Sequence, residues 1–134
     1  MTSKIASQVL ALAMVSLLLQ TNAPLAQTST TSKTGVGTPE MGIAIFYSDA
    51  MQGKAVASGE KYDKDALTAA HRTLPLGTMV KVTNLKNNKS VVVKVNDRGP
   101  HDSNKRIIDL SRRAAQELDM IQDGKVQVRV ELVH

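Results

Sequence analysis

The chain of 134 residues has no cysteine and no tryptophan, and its only aromatic side chains are Phe46, Tyr47 and Tyr62. Without cysteine, no disulfide can supplement the thin core of a small domain. Stability must then come from β-pairing and branched aliphatic packing. A lipid cannot be attached through a thiol either, so no stable membrane anchor is expected once a leader is removed. Three aromatic residues offer little to stack on bases, and no dense Lys/Arg stripe runs along the chain. Both argue against a nucleic-acid partner in spite of the net charge of +5. The sequence also lacks HExxH and any Cys/His cluster, so neither a metal nor another cofactor is expected.

Long apolar runs are absent except at the start. Lys4 precedes Ile5–Leu19, IASQVLALAMVSLLL, which carries no charge. The run is too short, and too soon followed by polar residues, to span a bilayer stably, but it suits a signal peptide over 1–26. Cleavage after Ala26 leaves Gln27 as the new terminus, whereas cleavage after Ala23 would set Pro24 directly behind the scissile bond. Removal of this leader takes Lys4 with it and leaves 16 basic against 12 acidic residues, a charge of +4. Residues 27–41, beginning QTSTTSKTGVGTPE, have almost nothing to bury and read as a flexible linker. One domain over 42–133 follows, with monomer as the default state.

Within that domain the patterns are those of a mainly β protein. GIAIFY at 42–47 is a compact apolar run. TMVKVTN at 78–84 and KSVVVKVN at 89–96 flank Asn87-Asn88, residues that tolerate positive φ in a hairpin turn. Residues 125–132 alternate, with Val126, Val128, Val130 and Leu132 on one face and Gln127, Arg129 and Glu131 on the other. Helix is confined to about 111–118, capped by Ser111 with Ala114, Ala115 and Leu118 facing inward. Several short strands and little helix point to a small closed barrel or a sandwich.

Three polar segments lie among turn formers, where a barrel presents its rim. In Ala57-Ser58-Gly59-Glu60 the glutamate by itself reads first as an ordinary solvated side chain. His71, after Leu67-Thr68-Ala69-Ala70, has small neighbours and is compatible with a hydrogen-bonded core histidine. Asn96-Asp97-Arg98-Gly99-Pro100 closes a strongly β segment. It suits a tight turn, and it also suits a pocket presenting an acid, whose pKa burial would raise and Arg98 would lower. Asp109, in Ile107-Ile108-Asp109-Leu110-Ser111, is expected to cap or brace the helix start.

Taken in order, Gly53-Lys54, Ala57-Ser58-Gly59-Glu60, LTAAHRTLPLGT at 67–78, VNDRGP at 95–100 and RIIDLSRRAA at 106–115 resemble the rare lipoprotein A (RlpA-like) family. The resemblance covers the whole of 42–133. It implies a six-stranded double-psi β-barrel with one or two short helices, and lytic transglycosylase activity on bacterial peptidoglycan. Glycan strands would be cut between N-acetylmuramic acid and N-acetylglucosamine, leaving 1,6-anhydro-muramic acid ends. The protein would then work in the periplasm, envelope or extracellular space of a bacterium.

By the same resemblance Asp97 is the acid, Glu60 helps place the sugar or shares its proton traffic, and His71 orients the acid. Phe46, Tyr47, Lys54 and Arg98 fall at substrate-facing positions, with Arg98 also bracing its loop, and Asp109, Gly99 and Pro100 are structural. The first strand departs from the family in reading Ile45-Phe46-Tyr47-Ser48 where Ser-Trp-Tyr-Gly is usual, so Phe46 and Tyr47 must replace the missing indole. An expansin-like module that binds or loosens the wall without cleaving it would use the same barrel, as would an effector or inhibitor that binds another protein.

Overall fold

A computed structural model describes residues 37–102 and 105–134. The expected signal peptide and most of the expected linker lie outside these residues. Six strands are formed: β1 (Glu40–Phe46), β2 (Thr68–His71), β3 (Met79–Asn84), β4 (Ser90–Arg98), β5 (Arg106–Leu110) and β6 (Val126–Leu132). Among the described residues one helix, α1 (Arg112–Glu117), and a 3-10 turn at Asp49–Met51 complete the elements. β1 starts two residues before the expected domain boundary at 42, because Glu40 and Met41 already pair with Val130 and Arg129 of β6.

The strands close into a barrel in the order β1-β5-β2-β4-β3-β6. β1 runs parallel to β5 and β2 parallel to β4, and the remaining pairs are antiparallel. Closure leaves no sheet edge unpaired. Alternation then decides what lies inside. Val80 and Val82 of β3, Val91, Val93 and Val95 of β4, and Val126, Val128 and Val130 of β6 all point into one core with Ile108 and Leu110. Full burial of such a side chain contributes roughly 1.5–3 kcal/mol. This supplies the stability that disulfides cannot.

Ser111 caps α1, accepting from the Ala114 N–H at 3.2 Å and donating to the Ala66 carbonyl at 2.6 Å. Ala114, Ala115 and Leu118 bury their side chains against the barrel. The β3–β4 turn is tied to the helix end: Asn84 Nδ2 and Asn87 Nδ2 both donate to the Leu118 carbonyl, at 2.9 and 3.1 Å. Asn88 takes the positive φ of 65° that the turn needs.

Each parallel pair carries one irregularity. Between β2 and β4, Ala69 pairs with Val95 but Ala70 pairs with Asp97, so Asn96 is an extra residue in β4. Between β1 and β5, Ile43 pairs with Arg106 and Ala44 with Ile108, leaving Ile107 extra in β5. Such bulges change which face the following side chains occupy.

Candidate active site

The bulge at Asn96 makes the site. Val91, Val93 and Val95 face the core, so an unbroken alternation would send Asp97 inward as well. The extra residue resets the phase and places Asp97 beside Ala70, whose neighbour Ala69 is the one facing the core. On the other side of β2, Ala70 pairs with Asp109 of β5, and Asp109 pairs with Ile45 of β1. Four adjacent strands thus contribute one row, Ile45–Asp109–Ala70–Asp97. That row floors an open groove of about 430 Å³ whose walls include Phe46, Tyr47, Ser48, Met51 and Arg98.

Both oxygens of Asp97 accept hydrogen bonds. The Tyr47 hydroxyl donates to Oδ2 and the Ala57 backbone N–H donates to Oδ1 at 2.9 Å. Burial, followed by the bond to Asp97, pushes the Tyr47 hydroxyl well above an ordinary phenol, so it remains a donor. The Tyr47 ring stacks on Tyr62 with centroids 4.6 Å apart and planes within 14°. Tyr62 is itself fixed by accepting from the Arg112 N–H at 3.0 Å. Arg112 also lies over the Phe46 ring, 5.9 Å from its centroid.

Asp109 does not cap the helix, since Ser111 does. It alternates outward between the fully buried Ile108 and Leu110 and keeps only 18% of its side chain exposed. Arg106 Nε reaches its Oδ1 at 3.1 Å. Burial raises the Asp109 pKa above the usual carboxylate range. The guanidinium offsets part of that rise, and the charges of Asp102 and Asp97 add to it. A carboxyl whose pKa burial raises therefore shares a groove with one that accepts two hydrogen bonds.

The other residues singled out from the sequence are placed as follows. Glu60 does not line the groove. It lies outside the barrel with 47% of its side chain exposed, accepting from Lys94 Nζ at 2.9 Å and Asn96 Nδ2 at 3.0 Å. These two partners hold its pKa below the usual value.

His71 does not touch Asp97. It is 3% exposed, its Nδ1 accepts from the Thr73 and Leu74 N–H groups at 3.2 Å, and its Nε2 faces Glu40 Oε1 at 2.8 Å. An accepting Nδ1 assigns the proton to Nε2.

Arg98 Nη1 donates to the carbonyls of His71 and Leu74, at 2.9 and 2.7 Å, bracing the loop from the groove wall. Lys54 is exposed and is not among the groove-lining residues. Gly99 takes a φ of +134°, a conformation that glycine tolerates, and Pro100 behind it is buried. Among the described residues no group of three His, Cys, Asp or Glu side chains is arranged to hold a metal.

The closed six-stranded arrangement with two parallel pairs is that of a double-psi β-barrel, here with an acidic groove across four of its strands. The family profile described as "Lytic transglycolase" matches residues 40–130, and the chain belongs to that family.

Curated relatives include the endolytic peptidoglycan transglycosylase RlpA of Campylobacter jejuni. It is 53% identical over 98 residues, which make up 73% of this chain and 35% of the relative. The protein of the same name from Pasteurella multocida is 50% identical over 103 residues, 77% of this chain and 35% of the relative. The chain thus spans about a third of the length of these relatives.

Two solved structures share the fold. The Streptomyces papain inhibitor has a TM-score of 0.59 at 24% identity, covering 75% of this chain and 98% of that one. A variant expansin of Clavibacter michiganensis in complex with cellohexaose has a TM-score of 0.58 at 21% identity, covering 72% of this chain and 51% of that one.

Proposed function

We propose that the protein is exported to the bacterial envelope and cleaves peptidoglycan glycan strands as a lytic transglycosylase. The observation that carries this reading is the shared row in which Asp109 and Asp97 flank Ala70 on the floor of one groove. The names of the relatives, endolytic peptidoglycan transglycosylases, support it. The charge-free leader over Ile5–Leu19 supports export.

In the proposed reaction Asp109, expected from the sequence to be structural, is the proton donor in place of Asp97. Its burial keeps the carboxyl protonated further up the pH scale than an exposed aspartate. The bond between the anomeric carbon of muramic acid and the bridging oxygen breaks as the Asp109 proton passes to that oxygen, and positive charge develops at the ring. The 6-hydroxyl of the same sugar closes on the anomeric carbon and gives its proton to Asp97. One C–O bond breaks and one forms, no water is consumed, and the proton on Asp97 returns through solvent to Asp109. Asp97 is therefore the base, because both of its oxygens already act as acceptors, toward Tyr47 and Ala57.

Phe46 and Tyr47 provide the wall against which a pyranose ring packs. Arg98 and His71 hold the 71–74 loop beside it, and Gly99 and Pro100 shape the strand exit. The chemistry needs no cofactor, and a monomer contains every group named.

The test is mass spectrometry of soluble products after the purified protein is incubated with sacculi and with peptide-stripped glycan. Ends of the 1,6-anhydro type, lost in Asp97→Asn and Asp109→Asn, are expected. Reducing ends would instead indicate hydrolysis. Intact glycan that carries the folded protein down on sedimentation would leave a wall-binding module.

A further inference from the structure

The proposed reaction leaves Glu60 without a proton to carry, yet its carboxylate accepts three hydrogen bonds. Its Oε1 accepts from Asn96 Nδ2 at 3.0 Å and from Ser58 Oγ at 3.2 Å, and its Oε2 accepts from Lys94 Nζ at 2.9 Å. Asn96 is the extra residue of the β4 bulge and is 6% exposed. Its backbone carbonyl accepts from the Ser58 N–H at 3.1 Å. The turn from Val56 to Glu60 is closed on itself by Val56 N–H to the Glu60 carbonyl at 2.8 Å and Gly59 N–H to the Val56 carbonyl at 2.8 Å. At its near end the same turn delivers the Ala57 N–H to Asp97 Oδ1 at 2.9 Å. One short turn therefore touches both residues on which the site depends, the bulge and the carboxylate beside it.

We infer that Glu60 and Asn96 form a clamp that fixes the β4 bulge and holds the Ala57 N–H on Asp97, so that both are positioning residues and neither exchanges a proton with substrate. The role assigned to Asp97 rests on the transglycosylase reading, but the clamp itself is a statement about geometry. Asn96 suits the place for a physical reason. A bulge residue has no partner in the strand ladder, so a side-chain amide that bonds across to a neighbouring turn stabilises the extra residue. Glu60 supplies the acceptor from a site where solvent is available, so its charge needs no buried compensation.

The experiment compares Glu60→Gln, Glu60→Ala, Asn96→Leu and the double variant Glu60→Ala/Asn96→Leu. Two readouts are taken, turnover on peptide-stripped glycan and the Ala57 amide resonance in a nitrogen–proton NMR spectrum of the purified protein. The rest of the spectrum confirms that each variant is folded. Glu60→Gln keeps an amide oxygen for Asn96 and loses only the exposed ion pair with Lys94. Its kcat should fall about three- to fivefold. Glu60→Ala and Asn96→Leu should lower kcat roughly ten- to a hundredfold with little change in KM, and both should shift the Ala57 amide. The double variant should be no worse than the poorer single one, since the two residues act as one unit.

Loss in Glu60→Gln as complete as in Asp97→Asn, with the Ala57 amide unmoved, would make Glu60 a proton carrier and overturn the clamp. Wild-type turnover in Glu60→Ala would overturn it as well. If the unmodified protein releases no anhydro ends, the transglycosylase reading fails on its own. The Ala57 resonance then decides the clamp alone, which stands if Glu60→Ala moves it and falls if it does not.

Discussion

Asp97 and Asp109 are register partners of the same residue, Ala70, one across the parallel β2–β4 pair and the other across the antiparallel β2–β5 pair. Two strand spacings separate their Cα atoms, about 9.5 Å, and only a methyl group lies between them. That separation leaves room for a sugar ring to meet one carboxyl on each side. It also makes Ala70 as much a part of the site as the acids.

Ala70→Leu should therefore abolish most turnover without unfolding the barrel. The added side chain projects into the groove from a strand whose opposite face packs the core. Activity should fall roughly a hundredfold, the consequence of displacing substrate by about an ångström, while circular dichroism keeps the β signature. Unchanged turnover would remove the row from the mechanism.

Asp109→Asn should lower turnover by roughly 10²–10⁴, the usual range for losing a general acid. A donor must be protonated, so activity should decline as pH rises through the Asp109 pKa. Arg106 lowers that pKa, so Arg106→Gln should carry the alkaline limb of the pH–rate profile to higher pH. The stability sign follows from the same raised pKa. The stabilising contribution of Asp109 is present below the pKa of the unfolded chain and is lost as pH rises through the folded one. Asp109→Asn should then be neutral or stabilising at pH 7 in urea denaturation, and a clear destabilisation there would count against a raised pKa.

Tyr47→Phe keeps the ring that stacks on Tyr62 and removes the hydroxyl that donates to Asp97. A hydrogen bond to a charged acceptor is worth about 1.5–3 kcal/mol, so kcat should drop roughly ten- to a hundredfold with KM nearly constant. A rise in KM alone would assign Tyr47 to sugar binding only.

Two substitutions far from the groove should affect stability and leave turnover per folded molecule alone. Asn84 is fully buried, donates to the Leu118 carbonyl at 2.9 Å and accepts from the Lys86 N–H at 2.9 Å. Asn84→Ala should cost about 1–3 kcal/mol for the groups left unpaired. At Gly42 a Cβ would sit 2.6 Å from Ile107 Cγ2 and 2.9 Å from the Lys105 carbonyl oxygen, so Gly42→Ala should cost about 1–3 kcal/mol through overpacking. Both are read from the urea midpoint. If Gly42→Ala is neutral, the β1–β5 contact must be looser than these distances require.

Much of the fold is legible in the chain because its longer strands advertise themselves. The alternation at 125–132 becomes β6 at Val126–Leu132, and the valine-rich segments either side of Asn87-Asn88 become the β3–β4 hairpin. Ser111 caps the helix as its position suggests. Thr68–His71 and Arg106–Leu110 do not announce themselves in the same way. The first has two alanines in four residues, and each is only four or five residues long with partners far away in sequence. Recognisable motifs mark both segments, but motif identity does not say that they pair with one another.

The residues available to the site are likewise a matter of sequence: three aromatics, no cysteine, and carboxylates bracketed by apolar and turn residues. Which of those carboxylates meet is not. The family resemblance groups Glu60, His71 and Asp97 as one constellation, yet of the three only Asp97 lines the groove, and its companion there is Asp109. Period-2 alternation assigns Asp97 to the core face, and one extra residue, Asn96, moves it to the other. A bulge has no local signature, because it is set by how Ala69 and Ala70 align with a strand more than twenty residues away. The chain therefore determined that a small, mainly β domain would form and which side chains it could use. Closure of the barrel, by fixing register between distant strands, decided which of them face one another.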